Sequence, residues 1–347
     1  MLAYQFQPSA DMSLVELPDL AAAPGELLLD VVSVGICGTD LKIARGEHRM
    51  FPRGTERIPG HELVGQVLPG SDLPVGLSTG DLVAVAPNMA CGACPPCVRG
   101  RANLCDNYAA IGLTVDGGFA EQVRIPAMAV AQGNVLPLDA GVDVDLAVLM
   151  EPVAAVLRGV NAVGLGKGDT LVITGAGPIG LIALLLAKAR GVAHVIVSEP
   201  SDDRRRIALE LGADAALDPT QCDVVQEVRR GTGGAGADVV MVTTPVAQVF
   251  AQSLDVAAVG GRVNFFAGLP ASSGRIGLEA NLVHYRELTV TGTTANTLQD
   301  CKLALQLVLE SAETFKPLVT HRHPLSHAAE GFADAVAGDA LKVVLTP

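Results

Sequence analysis

Four cysteines in one short segment have the residue type and spacing of a metal site. Cys91, Cys94, Cys97 and Cys105 follow the pattern C-x₂-C-x₂-C-x₇-C. Thiolates separated by two residues can bind one ion from a single turn, and the fourth completes a tetrahedron with no open position. This pattern favours a structural zinc ion. An iron–sulfur cluster is the alternative, although the bacterial ferredoxin run places its last cysteine after three residues.

A second group of metal-binding side chain types lies outside this segment. Cys37 follows an apolar run, His61 and Glu62 follow a Pro-Gly turn, and Glu151 precedes a proline. A thiolate, an imidazole and a carboxylate are ligands of catalytic zinc sites that keep one coordination position open. Taken singly, these residues fit a buried cysteine, a core histidine and a helix cap equally well. Spacing alone therefore leaves a catalytic zinc and a structural role both open.

A glycine-rich run carries the fingerprint of a dinucleotide site. It follows an apolar strand, opens an apolar helix and consists of Gly175, Ala176, Gly177, Pro178, Ile179 and Gly180. The three glycines permit a tight turn, close approach of the pyrophosphate, and packing of the helix on the strand. The helix N-terminus offers amide donors and partial positive charge to phosphates. A glycine turn without a ligand is the simpler alternative.

Glu199 supplies the second half of that fingerprint. It ends the next predicted strand, where an acidic residue binds the ribose hydroxyls of the adenosine. Its charge would repel a 2′-phosphate, so the sequence favours NAD over NADP. NADP would be favoured instead if one of the next three arginines, Arg204, Arg205 or Arg206, reached the 2′-phosphate. We expect a solvated helix face for these arginines, with Arg204 along the adenine.

Composition excludes several classes of protein. The 347 residues carry a net charge of −13 without a basic block, which argues against binding to nucleic acid or an anionic membrane. No apolar stretch reaches the roughly 20 residues that a membrane span needs. The N-terminus lacks the features of a signal peptide. Four of the seven cysteines are clustered, which disfavours a disulfide framework. We therefore expect a soluble protein in the reduced cytoplasm.

The pattern of elements predicts two domains. The first 150 residues show short apolar or alternating runs broken by Gly and Pro, which predicts a β-rich distorted barrel or sandwich. From about residue 154 to 292, apolar strands alternate with helices, which predicts a doubly wound parallel sheet. The expected strands of this α/β part are Thr170–Thr174, His194–Ser198, Ala215–Leu217, Asp238–Val242, Arg262–Phe266 and Leu288–Thr291. The tail is expected to return to the first domain, giving domains 1–153 with 293–347, and 154–292.

These motifs together resemble the zinc-dependent medium-chain alcohol dehydrogenases. GICGTD, GHE, the four-cysteine segment, DGGFAE, EPVA and GAGPIG occur in the order of that family along nearly the whole chain. The resemblance implies a GroES-like catalytic domain, a Rossmann NAD domain, one catalytic and one structural zinc, and a homotetramer or dimer. Glu151-Pro152 and the tail segments KPLVTHRHPL and ALKVVL are similar to the sorbitol (polyol) dehydrogenase branch.

The resemblance also implies roles for individual residues. Cys37 and His61 would bind the catalytic zinc. Glu62 or Glu151 would be the third ligand, and the sequence leaves open which of them binds directly while the other lies beside the metal. The four clustered cysteines would bind the structural zinc.

The proton pathway and the substrate pocket depart from the family pattern. Thr39 would pass the substrate proton toward solvent, with Lys42 or His48 as the next group. Lys42 stands where the family often has a histidine. Sorbitol dehydrogenases place an arginine that touches the substrate where this chain has Ala295 or Asn296.

The predicted activity is reversible oxidation of a secondary alcohol, a polyol or sugar alcohol, to a ketone with hydride transfer to NAD. The alternatives are an L-threonine 3-dehydrogenase-like enzyme, an NADP-dependent carbonyl reductase, and a non-enzymatic NAD sensor. The loop after the Cys37 segment contains four arginines, which would suit a phosphorylated or acidic substrate, although a solvated loop is the simpler explanation. They are Arg45, Arg49, Arg53 and Arg57.

Overall fold

The computed structural model describes residues 1–70, 73–338 and 340–347. The chain forms two compact units. The first contains Met1–Ala154 and Ala295–Pro347, and the second contains Ala155–Thr294.

The first unit is built on a seven-stranded sheet that is mostly antiparallel. The strands of this unit are Leu2–Phe6 (β1), Met12–Glu16 (β2), Leu27–Gly35 (β3), Glu62–Val67 (β4), Leu82–Val85 (β5), Asn88–Met89 (β6), Ala109–Ala110 (β7), Gln122–Ile125 (β8), Val135–Pro137 (β9), Val319–Pro324 (β16) and Lys342–Thr346 (β17). The main sheet has the order β16-β17-β3-β4-β5-β9, and β8 also pairs with β3. β1 and β2 form a separate hairpin, and β6 pairs with β7.

Long β3 is the strand around which this unit is organised. Eight of its nine residues are apolar, serine or glycine, and most are buried, as expected for a strand covered on both faces. β17 pairs with it so that Val344 lies opposite Gly35, and the tail thereby joins the sheet of the first unit. The sequence did not predict β1, β2 or β16. The polar alternation of β16, Val-Thr-His-Arg-His-Pro, gives only a half-buried pattern.

Short helices connect these strands. They are Gly38–Ala44 (α1), Pro95–Val98 (α2), Ala127–Gln132 (α3), Val144–Ala147 (α4), Met150–Ala162 (α5), Leu298–Glu310 (α11), Ala312–Phe315 (α12) and Ala328–Ala337 (α13). α5 begins in the first unit and ends in the second.

The second unit is a six-stranded parallel sheet with the order β12-β11-β10-β13-β14-β15. Its strands are Thr170–Thr174 (β10), His194–Ser198 (β11), Ala215–Leu217 (β12), Ala237–Val242 (β13), Ala257–Phe265 (β14) and Thr289–Gly292 (β15). Its helices are Pro178–Ala189 (α6), Asp202–Glu210 (α7), Val224–Gly231 (α8), Ala247–Val256 (α9) and Ala280–Tyr285 (α10). The strand order reverses at β10, as in a doubly wound Rossmann sheet, which confirms the predicted class.

The main difference from the sequence prediction is β14, which begins at Ala257 rather than at Arg262. A register shift against β13 lies between Ala237 and Val239, and the Gly260-Gly261 pair in this stretch hides the strand pattern. α6 contains the longest apolar run of the chain and is largely buried in the second unit. Among the described residues, no helix combines the length and the apolar character that crossing a membrane requires.

Candidate functional site

The structure gathers Cys37, His61 and Glu62 into one cluster within the first unit. One ligand atom from each of these residues lies within 4.8 Å of the others. His61 is 5% exposed and Glu62 only 1%. A thiol, an imidazole and a carboxylate therefore converge although the first two lie on separate elements of the chain. Their donor types match those of a catalytic zinc site.

Cys37 is held at the point where β3 turns into α1. It is the residue before the first turn of the helix, and its N–H donates to Asp40 Oδ2 at 2.8 Å. The other oxygen of the same carboxylate, Oδ1, lies 3.6 Å from His61 Nδ1. Asp40 is fully buried. It therefore fixes the cysteine backbone and faces the histidine ring at once, an outer partner of the kind that orients metal ligands.

The DGGFAE motif holds the turn that carries His61. Gly117 N–H donates to the Ile58 carbonyl at 2.8 Å, Gly118 N–H to the Gly60 carbonyl at 2.8 Å, and Phe119 N–H to the Pro59 carbonyl. A Cβ at Gly117 would overlap the Gly60 carbonyl oxygen. Glycine is therefore required there by the close backbone approach.

Glu62 is bound by a buried lysine from the end of the chain. Lys342 Nζ donates to Glu62 Oε1 at 2.8 Å, to Oε2 at 2.6 Å, and to the Ile36 carbonyl at 3.1 Å. These three acceptors match the three hydrogens of the ammonium group. A Cβ at Gly35 would overlap Glu62 Oε2, which explains the glycine that opens GICGTD.

Electrostatics at the cluster favour an added positive charge. Burial alone would lower the pKa of His61, but the neighbouring Asp40 and Cys37 raise it well above its usual value. Burial likewise opposes the charge of Lys342, yet Glu62 and Cys37 raise its pKa. Asp40 Oδ1 and His61 Nδ1 are both buried without a hydrogen-bond partner. The donor set and the demand for a cation both fit a bound divalent zinc ion.

Glu151 lies near this cluster but is not one of its three members. It sits at the start of α5 and is 9% exposed. Burial raises the pKa of its carboxyl group, and the charge of Glu62 adds to this effect. His61 and a hydrogen bond from Asn296 act in the opposite direction. The Asn296 side chain donates to Glu151 Oε1 at 2.7 Å.

The three residues of the predicted proton pathway lie on or just after α1. Thr39 and Lys42 are within the helix, and His48 follows in the next loop. His48 is half-buried, and burial together with the charges of Arg49 and Lys42 lowers the pKa of its ring. A neutral imidazole near pH 7 can both accept and donate a proton.

The loop arginines have different environments. Arg57 donates to the Met50 carbonyl at 3.0 Å and to the Leu113 carbonyl at 2.6 Å, and it lies over the Phe51 ring. Arg45 pairs with exposed Glu47. Arg49 is exposed and has no ion pair within the described ranges, yet its charge lowers the pKa of Tyr108, which burial and Glu151 raise to about 12. Arg49 is thus an exposed positive charge whose field reaches Tyr108.

The four clustered cysteines form a second candidate metal centre. The sulfur atoms of Cys91, Cys94, Cys97 and Cys105 all lie within 4.8 Å of one another. The Cys94–Cys105 sulfur distance is 3.8 Å, close to the edge of a tetrahedron with Zn–S bonds of about 2.3 Å. N–H groups of Ala93 and Cys94 lower the pKa of Cys91 to about 6. Burial and neighbouring thiols raise the pKa of Cys97 to about 12. A cation among the four sulfur atoms would stabilise all of them as thiolates.

We expect Cys94→Ser to remove one of the two zinc ions from each chain and to lower the Tm by several degrees, because a structural zinc stabilises the fold around it. Metal analysis and differential scanning calorimetry would measure both effects. Cys222→Ser, which alters a half-buried thiol in the second unit, is the control. Equal zinc content in the two variants would contradict the assignment.

The second unit holds a cavity of about 490 Å³ at the carboxyl ends of β10 and β11. It is lined by Gly175, Ser198, Glu199, Pro200, Arg204, Thr220, Cys222, Thr244, Val246 and Gln252, among others. Gly175 has a φ of +104°, and a Cβ at Gly180 would overlap the Gly175 carbonyl oxygen. Pro178 and Ile179 open α6 after Gly177. A strand, a glycine turn and a helix N-terminus beside a cavity fit a dinucleotide.

The Glu199 carboxylate contacts the backbone of the glycine turn. Its Oε2 accepts from the Ala176 N–H at 2.7 Å and its Oε1 from the Ser201 N–H at 3.0 Å. Each oxygen keeps a second lone pair for a ligand hydroxyl. Arg204 Nη1 would lie 4.0 Å from a Cβ at Gly177, so its guanidinium reaches the pyrophosphate turn. Arg205 binds the Glu199 and Pro200 carbonyls instead.

Two residues of the first unit's site carry no signal that sequence reasoning recognised. Lys342 lies in the segment ALKVVL, and its partner Glu62 lies 280 positions away. Asn296 lies where sorbitol dehydrogenases place an arginine. The signal that could have identified Lys342 is a single lysine at the start of an otherwise apolar strand.

Two family models match the chain. The model for an alcohol dehydrogenase GroES-like domain matches residues 23–136, and the model for a zinc-binding dehydrogenase matches residues 178–310. These matches place the GroES-like part in the first unit. They assign most of the Rossmann unit to a zinc-binding dehydrogenase.

Relatives match over nearly the full chain. L-threonine 3-dehydrogenase of Caldanaerobacter subterraneus subsp. tengcongensis is 33% identical over 97% of this chain and 95% of its own. L-galactonate-5-dehydrogenase of Escherichia coli is 34% identical over 88% of this chain and 87% of its own. A solved structure from Sinorhizobium meliloti 1021, described as a zinc-binding dehydrogenase bound to NADP, is 32% identical. It aligns over 100% of this chain and 99% of that one, with a TM-score of 0.88.

Proposed function

Because the chain belongs to the zinc-dependent medium-chain alcohol dehydrogenase family, we propose that it oxidises the secondary hydroxyl of a small carboxylate-bearing substrate to a ketone, with reduction of NAD⁺ to NADH. The observation that carries this proposal is the buried cluster of Cys37, His61 and Glu62. L-threonine is the first substrate to test, and a sugar acid such as L-galactonate is the second. A neutral polyol is a weaker candidate, because the threonine and galactonate dehydrogenases that resemble this chain are named for compounds with a carboxylate.

In this proposal Cys37 and His61 hold the zinc, with Glu62 or Glu151 as the third ligand. When bound, the metal supplies Lewis-acid polarisation that lowers the pKa of the substrate hydroxyl. Asp40 faces Nδ1 of His61 and keeps the ring oriented, and Lys342 offsets the negative charge of Glu62. Burial of these groups excludes water and strengthens their mutual electrostatic interactions.

The proton of the hydroxyl leaves through groups on and after α1. We place the Thr39 hydroxyl as the first acceptor and donor, and His48 or Lys42 as the group that exchanges with solvent. His48 suits this role because its lowered pKa keeps the ring neutral and able to accept a proton near pH 7. The oxidation releases one proton from the hydroxyl and transfers a hydride, one hydrogen nucleus with two electrons, from the carbon to NAD⁺.

One side chain of the first unit, Arg49, supports a substrate with a negative charge. Arg49 carries an exposed guanidinium without an ion pair in the described part of the chain. Its charge acts on Tyr108 together with those of His61 and Glu151. A substrate carboxylate that reached Arg49 would gain a charge-assisted hydrogen bond.

NAD⁺ is the proposed coenzyme, and it supplies the hydride acceptor when bound. Glu199 is 5% exposed and lines the cavity of the second unit, where its charge would disfavour a 2′-phosphate. The NADP in the Sinorhizobium meliloti structure is the reason to compare both coenzymes directly.

We expect Glu199→Gln to reduce the preference for NAD⁺ over NADP⁺ in kcat/KM by about tenfold or more, because it removes a negative charge that would repel the 2′-phosphate. A tenfold change corresponds to roughly 1.4 kcal/mol. Steady-state kinetics with both coenzymes would measure this ratio. Glu210→Gln, on the exposed face of α7, is the matched control. A ratio unchanged from the parent would show that Glu199 does not select the coenzyme.

The function is tested by following NAD⁺ and NADP⁺ reduction by the zinc-loaded protein against L-threonine, L-galactonate, 2,3-butanediol, sorbitol and a sugar-alcohol phosphate. A strong chelator is added in parallel. Chelator-sensitive turnover confined to carboxylate-bearing compounds supports the proposal. Turnover of neutral polyols alone would instead favour the sorbitol-like branch, and coenzyme binding with no turnover would favour a non-enzymatic NAD sensor.

We also propose a cytoplasmic location and a homo-oligomeric state. None of the seven cysteines forms a disulfide, which supports a reduced cytoplasmic location. A homo-oligomer, with a tetramer preferred to a dimer, stays a prediction from the family resemblance. Size-exclusion chromatography with light scattering would measure it.

A further inference from the structure

Glu151 is the last acceptor in a chain of hydrogen bonds that joins four side chains of the first unit. The Tyr108 hydroxyl donates to Asn88 Oδ1. Asn88 Nδ2 donates to Asn296 Oδ1 at 2.7 Å and to the Asn296 carbonyl at 3.2 Å. Asn296 Nδ2 donates to Glu151 Oε1 at 2.7 Å and to the Glu151 carbonyl at 3.2 Å. Each amide accepts from the Tyr108 side and donates toward Glu151.

The direction of this chain follows from its two ends. Asn296 turns its NH₂ group toward Glu151, whose Oε1 accepts the hydrogen bond. Its oxygen then has to accept from Asn88, whose own oxygen accepts from the Tyr108 hydroxyl. Cys301 Sγ also donates to Asn296 Oδ1, at 3.3 Å. Reversal of either amide would place like groups against each other along the chain.

The backbone just before Asn296 is strained. Ala295, just before it, has a φ of +51°, a left-handed conformation that residues with a Cβ rarely adopt. Such conformations cost on the order of 1–3 kcal/mol and persist only where the surroundings hold them, often at functional sites. Asn296 is completely buried. Thr297 then caps α11 by accepting from the Asp300 N–H, which fixes the segment on its other side.

Hydrogen bonds also fix the backbone at the Asn88 end of the chain of hydrogen bonds. Asn134, which is 1% exposed, donates through Nδ2 to the Asn88 carbonyl at 2.8 Å and to the Ala86 carbonyl at 2.8 Å. Tyr108 belongs to the segment that follows Cys105, and its N–H donates to the Cys105 carbonyl at 3.2 Å. The chain therefore begins beside the four-cysteine centre and ends at Glu151.

We infer that Tyr108, Asn88 and Asn296 are positioning residues that fix the Glu151 carboxylate. The chain occupies Oε1, while Oε2 has no hydrogen-bond partner among the described residues. Oε2 is then the oxygen that reaches the metal or the substrate hydroxyl. The inference rests on the proposed function, since it assigns Glu151 to the same site. It also links the four-cysteine segment to the chemistry through Tyr108.

Two variants test this inference in the zinc enzyme and in the enzyme with Co²⁺ exchanged into the catalytic site. Tyr108→Phe removes only the hydroxyl that begins the chain, and Asn296→Asp places a second carboxylate against Glu151. We expect kcat, or the affinity for the catalytic metal in chelator competition, to fall by about 10–100-fold, the usual effect of losing an outer partner of a metal site. The visible cobalt spectrum should shift, while the KM for the coenzyme stays unchanged.

Tyr285→Phe and Asn281→Asp make the same chemical changes on exposed parts of α10 and are the controls. Unchanged kcat, metal affinity and cobalt spectrum in both test variants would overturn the inference. A lower Tm with a parental kcat and spectrum in the folded fraction would also overturn it, because the chain would then be only structural. If the parent oxidises no compound in the panel, the proposed function fails, while metal affinity and the cobalt spectrum still decide this inference.

Discussion

Replacing Cys37 with alanine is expected to abolish turnover and to leave coenzyme binding nearly unchanged. The thiol supplies one of three ligand atoms that lie within 4.8 Å of one another, together with His61 and Glu62. Lewis-acid polarisation stabilises the developing alkoxide by several kcal/mol, so its loss lowers kcat/KM by about a thousandfold or more at 1.36 kcal/mol per factor of ten. The nucleotide cavity is lined by residues of the second unit, which this substitution does not touch.

The measurements are steady-state kinetics, zinc content per chain, and NADH binding followed by fluorescence. His61→Ala is expected to behave in the same way, since it removes the imidazole ligand. His327→Ala, at an exposed position after β16, is the control and should retain parental activity. Parental turnover in Cys37→Ala would show that the cluster is not the catalytic metal site, even if the four-cysteine centre still holds its zinc.

The fold of the second unit could be predicted closely because its signals are local. Thr170–Thr174 and His194–Ser198 are the same in prediction and structure, since each is an apolar run bounded by glycine, proline or polar residues. Two other strands of the chain were harder to place. β14 runs through two glycines, and β16 alternates with histidine and arginine. Their strand conformation depends on pairing with neighbours rather than on their own residues.

The site could be predicted only as far as its ligand types. Cys37, His61 and Glu62 were identified from short motifs, and the structure brings them together. The partners that hold the carboxylates come from distant parts of the chain. Lys342 and Asn296 lie 280 and 145 residues from the acids they bind. No local pattern predicts which acid each of them binds, so these contacts follow only from the fold.

Lys342→Met is expected to destabilise the first unit strongly. The lysine is 3% exposed, and its ammonium group donates all three of its hydrogens, two of them to Glu62. Removing one partner of a buried ion pair leaves the other charged and unsatisfied, which costs about 3–5 kcal/mol. Methionine keeps most of the side-chain volume, so packing changes little. Turnover should fall as well, because Glu62 loses the group that fixes it beside the metal ligands.

A double-mutant cycle separates this electrostatic cause from a general loss of packing. Glu62→Gln removes the charge that Lys342→Met leaves behind, so the double variant should regain part of the lost free energy of unfolding. Non-additivity of about 0.5–3 kcal/mol is typical for residues in direct contact. Lys302→Met, on the exposed face of α11, is the control for the loss of a lysine. Chemical denaturation of the zinc-saturated proteins measures the free energy of unfolding of every variant.

The outcome of the cycle decides what the C-terminal strand contributes to the metal site. Additive changes in the free energy of unfolding, or a Lys342→Met variant as stable as Lys302→Met, would show that the buried pair contributes packing rather than charge compensation. The expected recovery would instead show that β17 is part of the metal site, because its lysine compensates the charge of a buried carboxylate next to Cys37 and His61.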